Sequence, residues 1–179
     1  MMRETIKKAA AALFAEHGYA GTSLAQISEK VGIKKPSLYA HFKSKDHLFE
    51  CILTDAFDNE NRRIQEADDL YELLQSYLLR YKEDALFRFL LTSSFFPPDF
   101  LKQRIFEDYD NYLHTLEQKV RVILLSPSIN IEDAAAMYTI ILDSLFVELC
   151  YGTHERSQKR LDVAWRVYEQ VFMKGQENK

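Results

Sequence analysis

Glycine and proline are scarce in this chain, with five and four among 179 residues. β-Turns draw on both, so a sheet-rich fold lacks its punctuation and the chain reads as all-α. Only two cysteines are present, Cys51 and Cys150, each within an apolar helical stretch. They read as buried free thiols rather than as a disulfide. No apolar run of about 20 residues escapes charge. The most apolar stretch, Met137 to Tyr151, is interrupted by Asp143 and Glu148. The N-terminus has no apolar signal core, because Arg3, Glu4, Lys7 and Lys8 break it. These absences argue against a membrane partner and for a cytoplasmic protein. Enzyme signatures are missing too: there is no Gly-rich phosphate loop, no HExxH, no CxxC and no nucleophile elbow. His17, His41, His47, His114 and His154 show no ligand pairing. No catalytic residue, metal ligand or cofactor is assigned, although a composite metal site is open at this level.

What is present is a helical chain with an uneven charge. Hydrophobic residues make up 47%, enough for a proper core. The first 48 residues hold eight Lys and Arg against four Asp and Glu, a net +4; the whole chain is −4, so the remainder carries −8. A basic head on an acidic body suggests that the head meets a polyanion.

The head is built from short helices. Ile6, Ala9, Ala10, Leu13 and Phe14 recur with helical period, predicting a helix from about Thr5 to His17 that stops at Gly18. Ser23 followed by Gln26 is a capping-box pair, with Thr22 as the alternative cap. Leu24, Ile27 and Val31 face inward from the helix it starts, and Gly32 ends it. Lys34-Lys35-Pro36-Ser37 opens the next helix, where a proline in the first turn costs nothing. Leu38 and Phe42 point to the core; Lys35, Ser37, Tyr39 and His41 do not. A core helix has no need of those residue types, whereas a helix entering the major groove does. Ser44-Lys45-Asp46 caps a long helix running on to about Ile64.

The body reads as four or more further helices. One spans about Leu70 to Leu91, with a possible break at Lys82-Glu83-Asp84. Thr92 to Pro98 is punctuation, since Phe95-Phe96-Pro97-Pro98 cannot continue a helix. Another helix runs from about Asp99 to Leu125, stopped by Ser126-Pro127, and Asn130 caps the next. The last two, about Ile131–Tyr151 and Glu155–Met173, carry more apolar surface than one small domain covers. On the final helix Leu161, Ala164, Trp165, Tyr168 and Phe172 form one stripe; Val163, Val167 and Val171 form a second. The expectation is a homodimer in which this pair packs on its mate as a four-helix bundle. Tyr138, Leu142, Leu145, Leu149, Leu161, Trp165, Tyr168 and Phe172 are the expected interface. Simple core packing is the competing reading of the same residues. Asp143 and Glu148, if buried, each need a partner, either a cationic ligand or an interhelical bond.

Head and body together resemble the TetR family of bacterial transcriptional regulators. The residues that carry the resemblance are Phe14, Gly18-Tyr19, Thr22-Ser23, Ile27-Ser28, Val31-Gly32-Ile33, Leu38-Tyr39, His41-Phe42-Lys43, Lys45 and Leu48. The resemblance implies a helix-turn-helix DNA-binding domain over residues 1–45 and a helical effector-binding and dimerisation domain over 46–179. It implies double-stranded operator DNA as a partner, read as a near-palindrome by a dimer and released by a small apolar or aromatic effector. Thr22 and Ser23 would donate to phosphate. Lys34, Lys35 and Ser37 would face bases or adjacent phosphates. Tyr39 and His41 would hold phosphate, and Lys45 would do so from the start of the next helix. One departure stands out: many members have glycine where this chain has Pro36, which removes an N–H that could approach the DNA backbone.

Aromatics in the body are candidates for the effector pocket, because a bundle loosely filled by its own side chains leaves a cavity. They are Tyr77, Tyr81, Phe87, Phe95, Phe96, Tyr109, Tyr112 and Phe146. Two other function classes compete with the regulator: a helical interaction module whose head does not read DNA, and a helical enzyme.

Overall fold

In a computed structural model, residues 1–124 and 130–173 are described. Among them the chain is helical throughout, with no strand. The helices are α1 (Met2–Gly21), α2 (Leu24–Val31), α3 (Lys35–Tyr39), α4 (Lys45–Glu66) and α5 (Leu70–Glu83). They continue with α6 (Ala85–Phe95), a 3-10 turn at Asp99–Leu101, α7 (Lys102–Ile123), α8 (Ile131–Tyr151) and α9 (His154–Phe172). Contacts group the chain into two compact units. The first comprises Met1–Asn59 and Lys82–Tyr109; the second comprises Glu60–Tyr81 and the chain from Asp110 onward.

Local chemistry sets the breaks. Gly18 takes a left-handed φ of +69° inside α1, so the helix proper ends there and Tyr19–Gly21 form a separate turn. Only glycine adopts that backbone without strain. Ser23 and Gln26 form the full capping box: the Gln26 N–H donates to Ser23 Oγ at 3.2 Å, and the Ser23 N–H donates to Gln26 Oε1 at 2.7 Å. Such a cap stabilises a helix start by about 1 kcal/mol. Gly32, at φ +76°, closes α2 in the left-handed conformation a C-cap requires. Ser44 Oγ accepts from the His47 N–H and starts α4.

Asp84 provides the break expected between Lys82 and Asp84. Its carboxylate accepts from the N–H groups of Leu86 and Phe87 at 2.9 and 3.1 Å, so α5 and α6 are separate helices. Two boundaries differ from the sequence reading. The first helix begins at Met2 rather than Thr5. Helix α6 continues through Thr92 to Phe95, because Pro97 restricts only the residue before it; Phe96 leaves helical geometry at φ −128°, ψ 64°. The stop expected at Ser126-Pro127 lies outside the described residues. Asn130 caps α8 as expected, accepting from the Asp133 N–H.

In the first unit the core is Ile6, Ala10, Phe14, Ile27, Leu38, Phe42, Leu48, Phe49, Ile52 and Phe89, all under 3% exposed. Phe49 meets Phe14 and Phe89 edge-on at centroid distances of 5.0 and 4.8 Å, a favoured aromatic geometry. In the second unit Tyr77, Leu78, Tyr112, Leu116, Tyr138, Leu142 and Tyr168 are buried. Their hydroxyls are satisfied: Tyr112 donates to Tyr77 Oη at 2.8 Å, Tyr138 to the Leu70 carbonyl at 2.7 Å and Tyr168 to the Ala134 carbonyl at 3.0 Å. Glu60, 2% exposed, receives a bidentate Arg80 fork at 2.7 and 2.6 Å and so ties α4 to α5.

Most of the residues expected at a dimer interface turn inward within the protomer. Tyr138, Leu142, Leu145, Leu149, Leu161 and Tyr168 are buried within the protomer, and Trp165 and Phe172 are half-buried. They serve the packing of α8 on α9 and, through Tyr138 to Leu70 and the Trp165 ring stacked on Tyr71 at 5.2 Å, the packing on α5. Six of the eight are thus core residues of the protomer. What α8 and α9 leave in solvent is the second stripe: Met137, Ile140, Val147, Val163, Val167 and Val171, each 42–60% exposed. Helix α8 is also long and apolar enough to cross a membrane by length and composition, with mean hydropathy 1.4. More than half of it is buried within the protein, the pattern of a core helix.

Candidate nucleic-acid interface

Helices α2 and α3 meet across the Gly32 turn, and the amide of Ile33 donates to the Ser28 carbonyl at 3.0 Å. Helix α3 is a short piece anchored from beneath. Leu38 is fully buried, and Phe42, one turn on, is 1% exposed. Those anchors leave Lys34, Lys35, Pro36, Ser37 and Tyr39 on the outer side, all exposed; Tyr39 is 48% exposed despite its size. Lys34 occupies the N-cap with an extended backbone, and the Ser37 N–H returns to its carbonyl at 2.9 Å. The result is a cationic, hydroxyl-bearing face at the opening of α3, with no acidic residue in the helix.

His41 is half-buried just past α3. Its carbonyl accepts from Arg3 Nη1 at 2.8 Å. The same guanidinium lies 4.4 Å over the Phe42 ring and donates through Nη2 to Cys51 Sγ at 3.4 Å. Arg3 therefore pins the exit of α3 from the far end of α1. The sequence marks Arg3 only as one of the charges near the N-terminus; nothing in its spacing points to His41, 38 residues away.

Ser23 is exposed at the start of α2, while its hydroxyl oxygen serves the capping box. Thr22 differs from the expectation. It is 2% exposed, and its Oγ1 lies 2.9 Å from the Gly18 carbonyl and 3.1 Å from the Leu13 carbonyl. A hydroxyl has one proton to donate, and here it closes the α1 turn rather than facing solvent. Lys45 is half-buried. Its Nζ donates to the carbonyls of Tyr19 and Thr22 at 2.9 and 3.0 Å and sits 3.9 Å over the Tyr19 ring. Its ammonium completes the end of α1 beside the reading face. Tyr19 in turn donates to Asp46, and burial together with that carboxylate pushes its hydroxyl up to about 12.

The expected effector aromatics are divided between the two compact units. In the second unit Tyr77, Tyr112 and Phe146 interlock as core, with Phe146 edge-on to Tyr77 at 5.3 Å; Tyr81 is half-buried. In the first unit Phe87 is buried, Tyr109 is half-buried, and Phe95 and Phe96 are 36% and 67% exposed. A groove of about 350 Å³ lies between α8 and α9, lined by Ile141, Leu145, Glu148, Arg160, Leu161 and Ala164, with none of the expected aromatics. Glu148 is buried and bonded by Arg156 at 2.6 and 2.9 Å and by Arg160 at 2.8 Å. The Arg156 fork, aided by Arg160, holds its carboxyl below the ordinary range. Protein cations thus fill the partner role left open for Glu148. Asp143 is exposed. No cluster of metal-ligating side chains occurs among the described residues.

A short helix with a cationic outer face, held by buried anchors behind a glycine turn, defines a helix-turn-helix unit of the kind that reads DNA. Residues 6–52 match the family of bacterial regulatory proteins, tetR family. The chain is 26% identical over 161 residues to IcaR of Staphylococcus aureus (strain Newman), covering 84% of this chain and 86% of that one. IcaR is the HTH-type negative transcriptional regulator of the biofilm operon icaADBC. In fold the chain is similar to a TerR/AcrR-family transcriptional regulator of Aquifex aeolicus VF5, with a TM-score of 0.73, 22% identity, and 93% and 99% of the two chains covered. It is also similar to AibR, solved with isovaleryl coenzyme A and operator DNA, with a TM-score of 0.66, 17% identity, and 96% and 98% covered. The chain thus carries the TetR family's pattern over residues 6–52 and is similar to regulators of that family over most of its length.

Proposed function

We propose that this chain is a cytoplasmic, dimeric repressor that holds a palindromic operator and is released from it by a small apolar or aromatic effector. Residues 1–45 read DNA, and 46–179 dimerise and regulate. The observation that carries the reading is the cationic face of α3, exposed over the buried Leu38 and Phe42. Lys34, Lys35 and Ser37 meet base edges or adjacent phosphates. Tyr39, His41, Ser23 and Lys45 grip phosphate. Two such helices fit successive major grooves when about 34–36 Å apart. The partner surface in this reading is the exposed stripe of Met137, Ile140, Val147, Val163, Val167 and Val171 rather than the buried one.

Relatives support both arms. IcaR is a negative regulator, and AibR was captured with a small ligand and operator DNA. Helices α4, α5 and α7 each contribute residues to both compact units, and a shift of α4 is the route by which an effector changes the spacing of the heads. Coupling of this kind is reciprocal, so operator weakens effector binding by the factor that effector weakens operator binding.

An electrophoretic shift with the chain's own upstream DNA tests the reading. Lys35→Ala and Tyr39→Ala are expected to weaken binding roughly tenfold each, in line with about 1–3 kcal/mol for a lost specific contact. Dimerisation is expected to be unchanged. If both variants bind DNA like the wild type, α3 is not the reading helix.

A further inference from the structure

The part of α3 that stands furthest from the protomer is not its lysines. Successive helical residues turn by about 100°. Pro36 and Ala40, two before and two after the buried Leu38, therefore lie about 160–200° from it. Ala40 sits just past α3 with αR backbone, and its N–H donates to the Pro36 carbonyl at 3.2 Å, so the two stand one turn apart on one line. Both are exposed. Lys35 and Tyr39 flank this line on one side, Ser37 and His41 on the other. The crest of the outer face is thus a pyrrolidine ring followed by a methyl group.

That crest offers nothing polar. Proline has no N–H, the Ala40 N–H is engaged with Pro36, and neither side chain holds a donor or an acceptor. Residues 34–41 also contain no Asn, Gln, Arg, Asp or Glu. The amide that pairs with adenine and the carboxylate that accepts from cytosine are therefore missing. Base edges on the floor of the major groove present donors and acceptors, and the one apolar group that projects there is the 5-methyl of thymine. Pressed on any other edge, the crest would strip water from polar groups and return no hydrogen bond. Against a methyl group it buries apolar surface on apolar surface. Proline and alanine have no rotamer freedom to lose in such a contact.

We infer that Pro36 and Ala40 are specificity-determining residues that select thymine, through its 5-methyl group, within each half-site. This rests on the proposed function, in which α3 enters the major groove. Residues four apart on a helix are about 5–6 Å apart, and successive bases of a strand about 3.4 Å, so the crest covers one or two neighbouring base pairs. Lys35 and Ser37 reach edges to either side of them. The ring that takes an N–H from α3 supplies an apolar contact in its place.

The test is a shift assay with the full-length protein and an operator enriched by it from random double-stranded DNA. Each thymine of a half-site is replaced in turn by uracil, in both half-sites together. Uracil keeps every hydrogen-bonding group of thymine and lacks only the methyl. At one or two positions per half-site, wild type is expected to lose about fourfold in affinity for each methyl removed. Pro36→Gly and Ala40→Gly are each expected to bind the thymine operator more weakly and to be indifferent to uracil at the position the lost group covered. Wild-type indifference to uracil at every position overturns this inference and leaves the regulator intact. An enriched half-site with no thymine does the same, as does a uracil effect of equal size in wild type and both variants. If Pro36→Gly loses helicity by circular dichroism, Ala40→Gly decides. A protein that enriches no double-stranded sequence loses the proposed function and this inference together.

Discussion

Arg3 illustrates how much of a reading head is invisible residue by residue. It makes no contact with its neighbours in sequence that would mark it. Its guanidinium nevertheless joins the His41 carbonyl, the Phe42 ring and Cys51, three points spread from the end of α3 to the middle of α4. Planarity matters here, because one fork must serve a carbonyl and an aromatic face at once. Arg3→Ala is expected to weaken operator binding about three- to tenfold with helicity retained, through loss of α3 positioning. Arg3→Lys is not expected to restore it. Equal operator affinity for Arg3→Ala and wild type in a shift assay would remove Arg3 from the positioning role. Thr22 teaches the converse. Its place in the motif suggested a phosphate donor, but a buried threonine bonds the nearest free carbonyls, here Leu13 and Gly18.

At the level of elements, the head was legible because its signals are local. The capping box at Ser23–Gln26, the left-handed glycines at 18 and 32 and the Ser44 cap each act within a few residues. Apolar periodicity found α8 and α9 for the same reason. It did not distinguish which of two apolar stripes faces the protomer, since both satisfy the helical period and only the placement of α5 decides. Glu148 is another case where three-dimensional placement decides: sequence marked the buried acid but not Arg156 and Arg160, which bond it across the α8–α9 turn. Its lowered carboxyl gives a definite pH dependence. A depressed folded value adds stability that is present above the ordinary carboxylate value of 4.5 and is lost as pH falls through the folded value. Thermal melts of wild type and Glu148→Gln are therefore expected to differ most near neutral pH and to converge in acid. A gap that stays constant from pH 7 to pH 3 would contradict the ion-pair account.

For the whole molecule, the compact units do not follow the charge split: the first joins the basic N-terminal helices to the acidic stretch Lys82–Tyr109. The effector aromatics were the least legible part. Ring-bearing helices look alike whether their rings fill a core, as Tyr77 and Phe146 do, or stand in solvent, as Phe96 does. Assembly is tested by charging the exposed stripe. Val167 is 54% exposed in the protomer, so Val167→Glu leaves its fold intact and buries a charge only in a dimer. Monomers by sedimentation, with wild-type helicity, are expected. A dimer as stable as wild type would place the partner surface elsewhere.

The most direct test of the central claim is selection of binding sites from random double-stranded DNA by the full-length protein, followed by footprinting. The account predicts an enriched inverted repeat whose half-sites lie one helical turn, about 10–10.5 base pairs, or a multiple of it apart. It also predicts that Lys35→Ala and Tyr39→Ala lose protection of those half-sites. An enriched sequence without two-fold symmetry, or no enrichment above input, would contradict it.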